Sequence, residues 1–190
     1  MPQLVLASSS PRRRDLLARL GVEASRIASP DIDENPRKSE VPRVYALRMA
    51  EEKAHAVTRS AGEIIIAGDT TVAIGRRILP QAADAEMQRG FLQLLSGRRH
   101  HVLSAVAVID VEGRLRSRIS DSIVRFKRLG DEEIQSYIDS GEGLGKAGGY
   151  AIQGRAEALI DWMAGSHSGV IGLPLYETRA LLRASGYPIG

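Results

Sequence analysis

The sequence predicts an α/β protein with a mixed β-sheet flanked by helices, and three observations lead to this fold class. Apolar segments of strand length alternate with segments of helical periodicity along most of the chain. Helices separate the early strands, which favours parallel pairing between them. Residues 101–129 instead form two long strand segments around a Glu112-Gly113 turn, which indicates an antiparallel hairpin.

Each predicted element has its own local signal. The first helix has Ser10 as a suitable N-cap, Pro11 as its first residue and Gly21 as its stop. The run EIIIAGD, at 63–69, is apolar up to its final carboxylate, as in a strand buried on both faces. In chain order we expect strands at 4–6, 63–74, 101–109 and 114–129, and helices at 11–20, 42–57, 82–95, 131–140 and 174–186. The second helix is expected to bury a face made of Val44, Leu47, Ala50, Ala54 and Val57.

The bulk composition narrows the functional class. Of the 190 residues, 43% are hydrophobic and 26% are charged, which suits one domain over residues 1–190, built as one body or as two lobes around a cleft. The chain has no cysteine, which excludes disulfides, thiolate catalysis and cysteine-bound zinc. Without a membrane-length apolar stretch or a signal peptide, we expect a cytoplasmic protein with no membrane partner.

A mildly basic charge balance favours an anionic small molecule as the partner. The net charge of +3 is far from the strong bias of dedicated nucleic-acid binders. Aromatic residues make up only 4% of the chain, too few for the stacking platforms of single-strand binders. We therefore expect no nucleic-acid partner, and nucleic-acid binding stays as the least favoured alternative.

Three arginines lie at the N-terminus of the first predicted helix, where the helix dipole is already positive. Arg12, Arg13 and Arg14 fall in the first turn of the first helix, where the helix dipole favours acidic residues. Backbone N–H groups, the neighbouring serine hydroxyls and the guanidinium groups together make the donor set of a phosphate site. The alternative is an ordinary helix start with solvated arginines.

Two acidic features supply candidates for a metal site or a general base. Asp69 closes the apolar part of a predicted buried strand, where a carboxylate can hold a divalent cation or activate a water molecule. Asp31, Asp33 and Glu34 lie together in a loop and offer the hard oxygen ligands that suit Mg²⁺ or Mn²⁺. The alternatives are a strand-end cap for Asp69 and a solvated acidic loop for the others.

Two lysines are further candidates for contacts with an anion. Lys53 lies on or beside the apolar stripe of the second helix and faces either a phosphate or solvent. Lys146 lies in GEGLGKAGGYAIQG, at 141–154, where glycines let the backbone approach an anion closely or simply make a flexible loop. The histidines lack metal-ligand spacing, and His100 and His101 point to opposite faces of a strand. Together these groups equip the chain for metal-assisted attack of water on a phosphate or diphosphate.

From residue 4 to about residue 186 the chain contains, in order, the motifs LASSSPRRRDLLARLGV, DIDE, AEEKA, GDTTV, LSGRRH, GKAGGYAIQG and GVIGLPLYET. This series resembles the motifs of the Maf family of nucleoside triphosphate pyrophosphatases. The resemblance implies an elongated mixed β-sheet flanked by helices with a central cleft, similar to the fold of inosine triphosphatases. It also implies hydrolysis of a nucleoside triphosphate to the monophosphate and pyrophosphate with Mg²⁺ or Mn²⁺, a homodimer, and a link to septum formation.

The same resemblance implies roles for individual residues. Asp69 matches the family's proton acceptor, which deprotonates the attacking water or holds the metal that does so. Glu34 matches an acidic metal-site position, and Asp33 is a further candidate ligand. The residues implied in contacts to the substrate are Ser8, Ser10, Arg12, Arg13, Lys53, Thr70, Lys146 and Gln153. Arg12, Thr70 and Gln153 match the positions linked to base choice, and the glutamine resembles the branch that acts on dTTP and UTP. An amide offers both a donor and an acceptor to the imide edge of such a pyrimidine, whereas the 7-methyl-GTP branch typically carries a glutamate.

One departure from the family pattern bears on activity. Gln81 stands where the family usually has a lysine, and it can donate a hydrogen bond to a phosphate oxygen without neutralising its charge. We expect activity to be weakened unless Lys146 or Arg77 compensates for the missing charge. The alternative function is a nucleotide-binding regulator of cell division with weak or no turnover, although such a protein has no need of a general base at Asp69.

Overall fold

The strand segments of the chain pair into one seven-stranded mixed sheet in the computed structural model, which describes residues 2–190. The strands are β1 (Gln3–Ala7), β2 (Arg26–Ala28), β3 (Glu63–Ile74), β4 (Arg77–Leu79), β5 (Arg99–Ile109), β6 (Leu115–Phe126) and β7 (Ile160–Ala164). The helices are α1 (Pro11–Arg19), α2 (Pro42–Ala56), α3 (Ala85–Leu95), α4 (Asp131–Asp139), α5 (His167–Ile171) and α6 (Leu175–Ala184), with a 3₁₀ turn at Arg155–Leu159. The predicted α/β class with a mixed sheet is confirmed.

The sheet changes from parallel to antiparallel pairing at β3. The strand order is β2-β1-β3-β5-β6-β7, and β4 pairs with β3 beside this path. The first strand is parallel to both β2 and β3, whereas β3, β5, β6 and β7 are successively antiparallel. The pairing of β1 with β3 ends at Ala7 and Ala67, and β3 continues past that point while still paired with β5. Asp69 and Thr70 therefore lie on a strand interior, just beyond the carboxyl end of β1.

Two apolar layers cover the two faces of the sheet. On one face, α2 packs small residues such as Ala46, Ala50 and Ala54 against Val5 and Ile65. On the other face, Leu6 and Ile66 belong to a larger cluster that includes residues of α1, α3, α4 and α6. Alternating residues of β3 are thus buried on opposite sides, which explains its continuous apolar run. No helix within residues 2–190 combines the length and the apolarity needed to cross a bilayer.

The structure corrects several element predictions. The short edge strands β2 and β7, the 3₁₀ turn and α5 were not expected, because short segments of mixed polarity carry no clear periodicity. Helix α3 begins at Ala85 rather than Ala82, because the Asp84 side chain accepts a hydrogen bond from the Met87 N–H and caps the helix there. The expected face of α2 is wrong in one respect: Val44 is 55% exposed, while Lys53 is buried.

Candidate active site

The residues that the sequence singled out meet in a cleft of about 660 Å³. The cleft lies beyond the carboxyl end of β1, between the start of α1, the middle of β3 and the glycine-rich segment at 141–154. Ligands of α/β proteins bind at such strand ends. The predicted site residues that line it are Ser8, Ser10, Arg12, Arg13, Glu34, Lys53, Asp69, Thr70, Gln81, Lys146 and Gln153. Of the three acidic loop candidates only Glu34 lines the cleft, whereas Asp31 and Asp33 do not.

One end of the cleft holds two carboxylates joined by a lysine. Lys53 Nζ lies 2.9 Å from Glu34 Oε2 and 2.9 Å from Asp69 Oδ1. The second oxygen of Asp69, Oδ2, accepts a hydrogen bond of 2.8 Å from the Thr71 hydroxyl. Asp69 and Lys53 are buried, whereas the Glu34 side chain is 47% exposed. Lys53 therefore points into the cleft from the buried face of α2 and does not extend into solvent.

These carboxylates fit a divalent cation that is shared with a phosphate. Mg²⁺ in proteins is commonly held by one or two carboxylates, with substrate phosphates and water completing the shell. Glu34 and Asp69 provide such a pair, and no group of three or more His, Cys, Asp or Glu side chains within residues 2–190 is arranged to hold a metal. Asp33 lies apart, since its Oδ1 atom accepts from the backbone N–H and side-chain amide of Asn35.

The cleft lining also contains a half-buried arginine that has no ion-pair partner among residues 2–190. Arg13 donates from Nε to the Gly172 carbonyl at 2.9 Å, from Nη1 to Ser8 Oγ at 3.1 Å and from Nη2 to Thr70 Oγ1 at 3.4 Å. Arg13 makes no salt bridge to any side chain of residues 2–190 within 4.0 Å. Burial lowers the pKa of Arg13, while the charges of Asp69 and Glu34 raise it. The guanidinium thus adds a positive charge to the cleft that no carboxylate of residues 2–190 contacts directly.

Arg12 and Lys146 add two more cations to the cleft lining. Burial lowers the pKa of Arg12, and the charge of Arg13 lowers it further. The pKa of Lys146 is lowered by burial and by the charge of Arg12. Ser10 occupies the N-cap position of α1 without a side-chain capping bond, and the first turn contains no acidic residue. A bound anion would relieve this repulsion and accept from the free donors at the helix start.

The glycine-rich segment is held against the turn that carries Gln81. Gly145 N donates to Ala82 O at 2.9 Å, and Ala82 N donates to Lys146 O at 3.1 Å. Gly148 has a φ of +67°, and a Cβ there would lie 2.8 Å from Val72 Cγ1, so the close approach requires glycine. This pairing places Lys146 and Gln81 side by side in the cleft lining, whereas Arg77 does not line the cleft. Of the two cations considered for compensation, only Lys146 is in place.

Sequence reasoning missed Thr71 and Tyr150 as parts of this site. Tyr150 lines the cleft, and its hydroxyl lies 2.7 Å from Nε2 of the buried His100. Burial lowers the pKa of His100 to about 4, so the imidazole that contacts the Tyr150 hydroxyl is neutral at neutral pH. An aromatic residue among glycines is the one sequence signal that could have indicated Tyr150. Thr71 carries no such signal, because its contact with Asp69 depends on the local path of β3.

The fold and the cleft define an α/β protein that can bind a polyanion next to a buried carboxylate. The sequence profile of the family described as Maf-like protein matches residues 3–185, and the chain belongs to this family. The family expected from the motifs is therefore confirmed.

Curated relatives agree with this assignment, and solved structures show the same fold. Proteins named dTTP/UTP pyrophosphatase are 60% identical in Sphingopyxis alaskensis, covering 100% of both chains, and 59% identical in Novosphingobium aromaticivorans, covering 99% of this chain and 94% of the relative. A Ham1 protein structure from Coxiella burnetii, 18% identical, superposes with a TM-score of 0.53 over 97% of this chain and 100% of its own. The Staphylococcus aureus Ham1 structure, 12% identical, gives 0.52 over 96% of each chain. These two structures share the fold.

Proposed function

We propose that this chain hydrolyses the pyrimidine nucleoside triphosphates dTTP and UTP to the monophosphate and pyrophosphate. The chain is a nucleoside triphosphate pyrophosphatase, a hydrolase acting on acid anhydrides, like its full-length relatives of up to 60% identity. The observation that carries the proposal is the cleft itself. It sets the Asp69–Lys53 pair against the cations Arg12, Arg13 and Lys146.

The polar groups of the cleft have separate roles in the reaction. The triphosphate binds to Arg12, Arg13 and Lys146, whose positive charges it neutralises. Asp69 takes a proton from a water molecule, and the water oxygen attacks the α-phosphorus. The bond between the α-phosphorus and the oxygen that bridges to the β-phosphorus breaks, and pyrophosphate leaves with the electron pair. The Thr71 hydroxyl donates a hydrogen bond to Asp69 Oδ2 and so fixes the orientation of the Asp69 carboxylate.

We also propose a divalent cation, Mg²⁺ or Mn²⁺, as the cofactor. Glu34 and Asp69 are the residues that would hold it, and Asp33 is excluded from the proposal by its place outside the cleft. Such an ion supplies positive charge that offsets the negative charge of the phosphates. Lys53 keeps the two carboxylates together and is free to contact a phosphate oxygen once a cation shares them.

The nucleobase of the substrate binds at the part of the cleft that contains Gln153. Its side chain is exposed in the lining, and an amide can donate to a carbonyl and accept from the N3–H of uracil or thymine. Val72, Tyr150 and Ile171 add apolar lining to the same cleft. Thr70 lies next to Arg13, at a contact of 3.4 Å, and is proposed to act with Arg12 in the same selection.

A nucleotide-binding regulator without turnover is the second candidate. It is favoured by one observation, the uncharged Gln81 in a cleft wall that otherwise carries cations. Lys146 next to it supplies a positive charge, which makes the loss of turnover the weaker proposal.

Pyrophosphate release from a panel of canonical and modified nucleoside triphosphates tests both candidates. We expect release from dTTP and UTP with Mg²⁺ or Mn²⁺ and none with a chelator. Release mainly from purine or methylated substrates would keep the reaction and contradict the proposed base choice. Nucleotide binding without release from any substrate would contradict the hydrolase and favour the regulator.

A further inference from the structure

The acidic loop that carries Glu34 has no regular structure of its own. Residues 29–41 contain neither helix nor strand, yet the Glu34 carboxylate meets Lys53 Nζ at 2.9 Å. A loop of this kind is mobile unless its backbone groups are held by neighbouring elements. The groups that hold this backbone therefore decide where the Glu34 carboxylate lies.

A buried ion pair fixes the end of this loop to α2. Arg48 donates from Nε to Glu40 Oε1 and from Nη2 to Glu40 Oε2, both at 2.6 Å. The two side chains are only 12% and 5% exposed, and Arg48 Nη1 also contacts Glu52 Oε2 at 3.1 Å. A two-point arginine–carboxylate contact fixes geometry as well as charge. The hydrogen bond to the guanidinium is the largest of the causes that lower the pKa of Glu40 to about 2, so the pair stays ionised at neutral pH.

The same face of α2 holds the loop backbone next to the carboxylate. Tyr45 donates its hydroxyl to the carbonyl of Glu34 at 2.8 Å. Arg48 Nη2 donates to the carbonyl of Asn35, the following residue, at 3.2 Å. The Arg48 guanidinium also lies 5.5 Å from the centre of the Tyr45 ring. Two consecutive carbonyls are thus held by residues one helical turn apart.

We propose that Arg48 is a positioning residue that holds Glu34 in place for the divalent cation, with Tyr45 as its helper. Arg48 does not line the cleft and so acts through the Glu34 loop rather than on the substrate. One helix then holds Glu34 at three points: Tyr45 contacts its own carbonyl, Arg48 contacts the next carbonyl, and Lys53 contacts its carboxylate. The inference rests on the proposed function only in that Glu34 is taken as a metal ligand.

The test measures Mn²⁺ binding directly, by titration in the presence of α,β-methylene-UTP, which is not cleaved between the α- and β-phosphates. We expect Arg48→Met to weaken Mn²⁺ binding about tenfold, the usual scale for losing a group that orients a metal ligand. Tyr45→Phe removes only the hydroxyl that contacts Glu34 O, and we expect it to weaken Mn²⁺ binding by a smaller factor. In a Glu34→Gln background, neither substitution should weaken binding further, because their effect passes through Glu34.

Arg26→Met is the matched control. Arg26 also makes a two-point contact with a carboxylate, Glu63, and donates to a backbone carbonyl, that of Thr58, but outside the cleft. We expect it to lower the melting temperature without weakening Mn²⁺ binding. The inference is overturned if Arg48→Met and Tyr45→Phe leave Mn²⁺ binding unchanged, if their effect persists in Glu34→Gln, or if no Glu34-dependent binding exists. A wild-type protein that binds Mn²⁺ but releases no pyrophosphate would contradict only the proposed function.

Discussion

Lys53 Nζ lies 2.9 Å from Asp69 Oδ1 and equally far from Glu34 Oε2, so one ammonium joins the two carboxylates of the cleft. The Lys53 and Asp69 side chains are 9% and 8% exposed. In such a place a charge is stable only with a partner of opposite sign. A divalent cation that binds both carboxylates must therefore compete with Lys53 for them, and a triphosphate offers the lysine a replacement partner.

This competition predicts the behaviour of Lys53→Met. Without nucleotide, we expect the variant to bind Mn²⁺ about tenfold more tightly than the wild type, because the carboxylates have lost a charge-assisted partner. Pyrophosphate release should nevertheless fall, since Lys53 no longer contacts the phosphates. Calorimetric titration with Mn²⁺ alone measures the first effect. Lys146→Met is the control and should leave Mn²⁺ binding unchanged, and unchanged or weaker binding by Lys53→Met would contradict the competition.

Substitutions of the adjacent loop residues Asp33 and Glu34 are expected to differ sharply in their effect on the Mg²⁺ requirement. Glu34→Gln removes a carboxylate that contacts Lys53 in the cleft, whereas Asp33→Asn changes one that contacts only Asn35. We expect Glu34→Gln to raise the Mg²⁺ concentration needed for half-maximal activity by tenfold or more, on the scale of losing a metal ligand's contact. Asp33→Asn should leave it within about twofold. Equal effects of the two substitutions would show that position in the cleft does not decide the metal ligand.

The alkaline limb of the pH profile tests Lys146. Burial and the charge of Arg12 lower the pKa of Lys146, so its positive charge is lost at a lower pH than that of an ordinary lysine. Since kcat/KM reports the ionisation of the free enzyme, we expect kcat/KM for dTTP to fall as the pH rises through this lowered value. Lys146→Arg should keep its charge and move the fall to higher pH. Superimposable alkaline limbs would mean that Lys146 does not contact the triphosphate.

Base choice is tested at Gln153. Gln153→Glu replaces the amide donor with a second acceptor, which repels a carbonyl oxygen of the pyrimidine. We expect kcat/KM for dTTP and UTP to fall about 10- to 100-fold, the scale of one lost hydrogen bond that leaves a polar group unpaired. Melting temperature should not change, because the side chain is exposed. Equal rates for the two proteins on dTTP would place base recognition elsewhere in the cleft.

Strong periodic signals predicted most of the fold. The apolar run of β3 and the hairpin of β5 and β6 were expected, because each buries enough residues to impose a clear pattern. The edge strand β7 escaped prediction: residues 160–164 are IDWMA, and this mixed stretch forms a strand only by pairing with β6. Local pattern cannot reveal an element whose order depends on a distant partner.

The candidate site likewise combines features that the sequence predicts with contacts that it does not. Motif order pointed to the residues of the cleft, but contacts between them depend on how far each strand and loop extends. Lys53 is buried because the carboxylates of Glu34 and Asp69 face it, and no feature of the α2 sequence specifies that meeting. The different positions of Asp33 and Glu34 likewise depend on the loop backbone that Tyr45 and Arg48 hold.

Hydrolysis of dTTP in ¹⁸O-labelled water tests the central claim most directly. If Asp69 activates water for attack on the α-phosphorus, mass spectrometry will find the label in dTMP and none in pyrophosphate. Asp69→Asn should lower this labelling rate about 10²- to 10⁴-fold, the usual contribution of a general base, while still binding the nucleotide. Label in the pyrophosphate, or an Asp69→Asn variant as fast as the wild type, would contradict the account of the cleft.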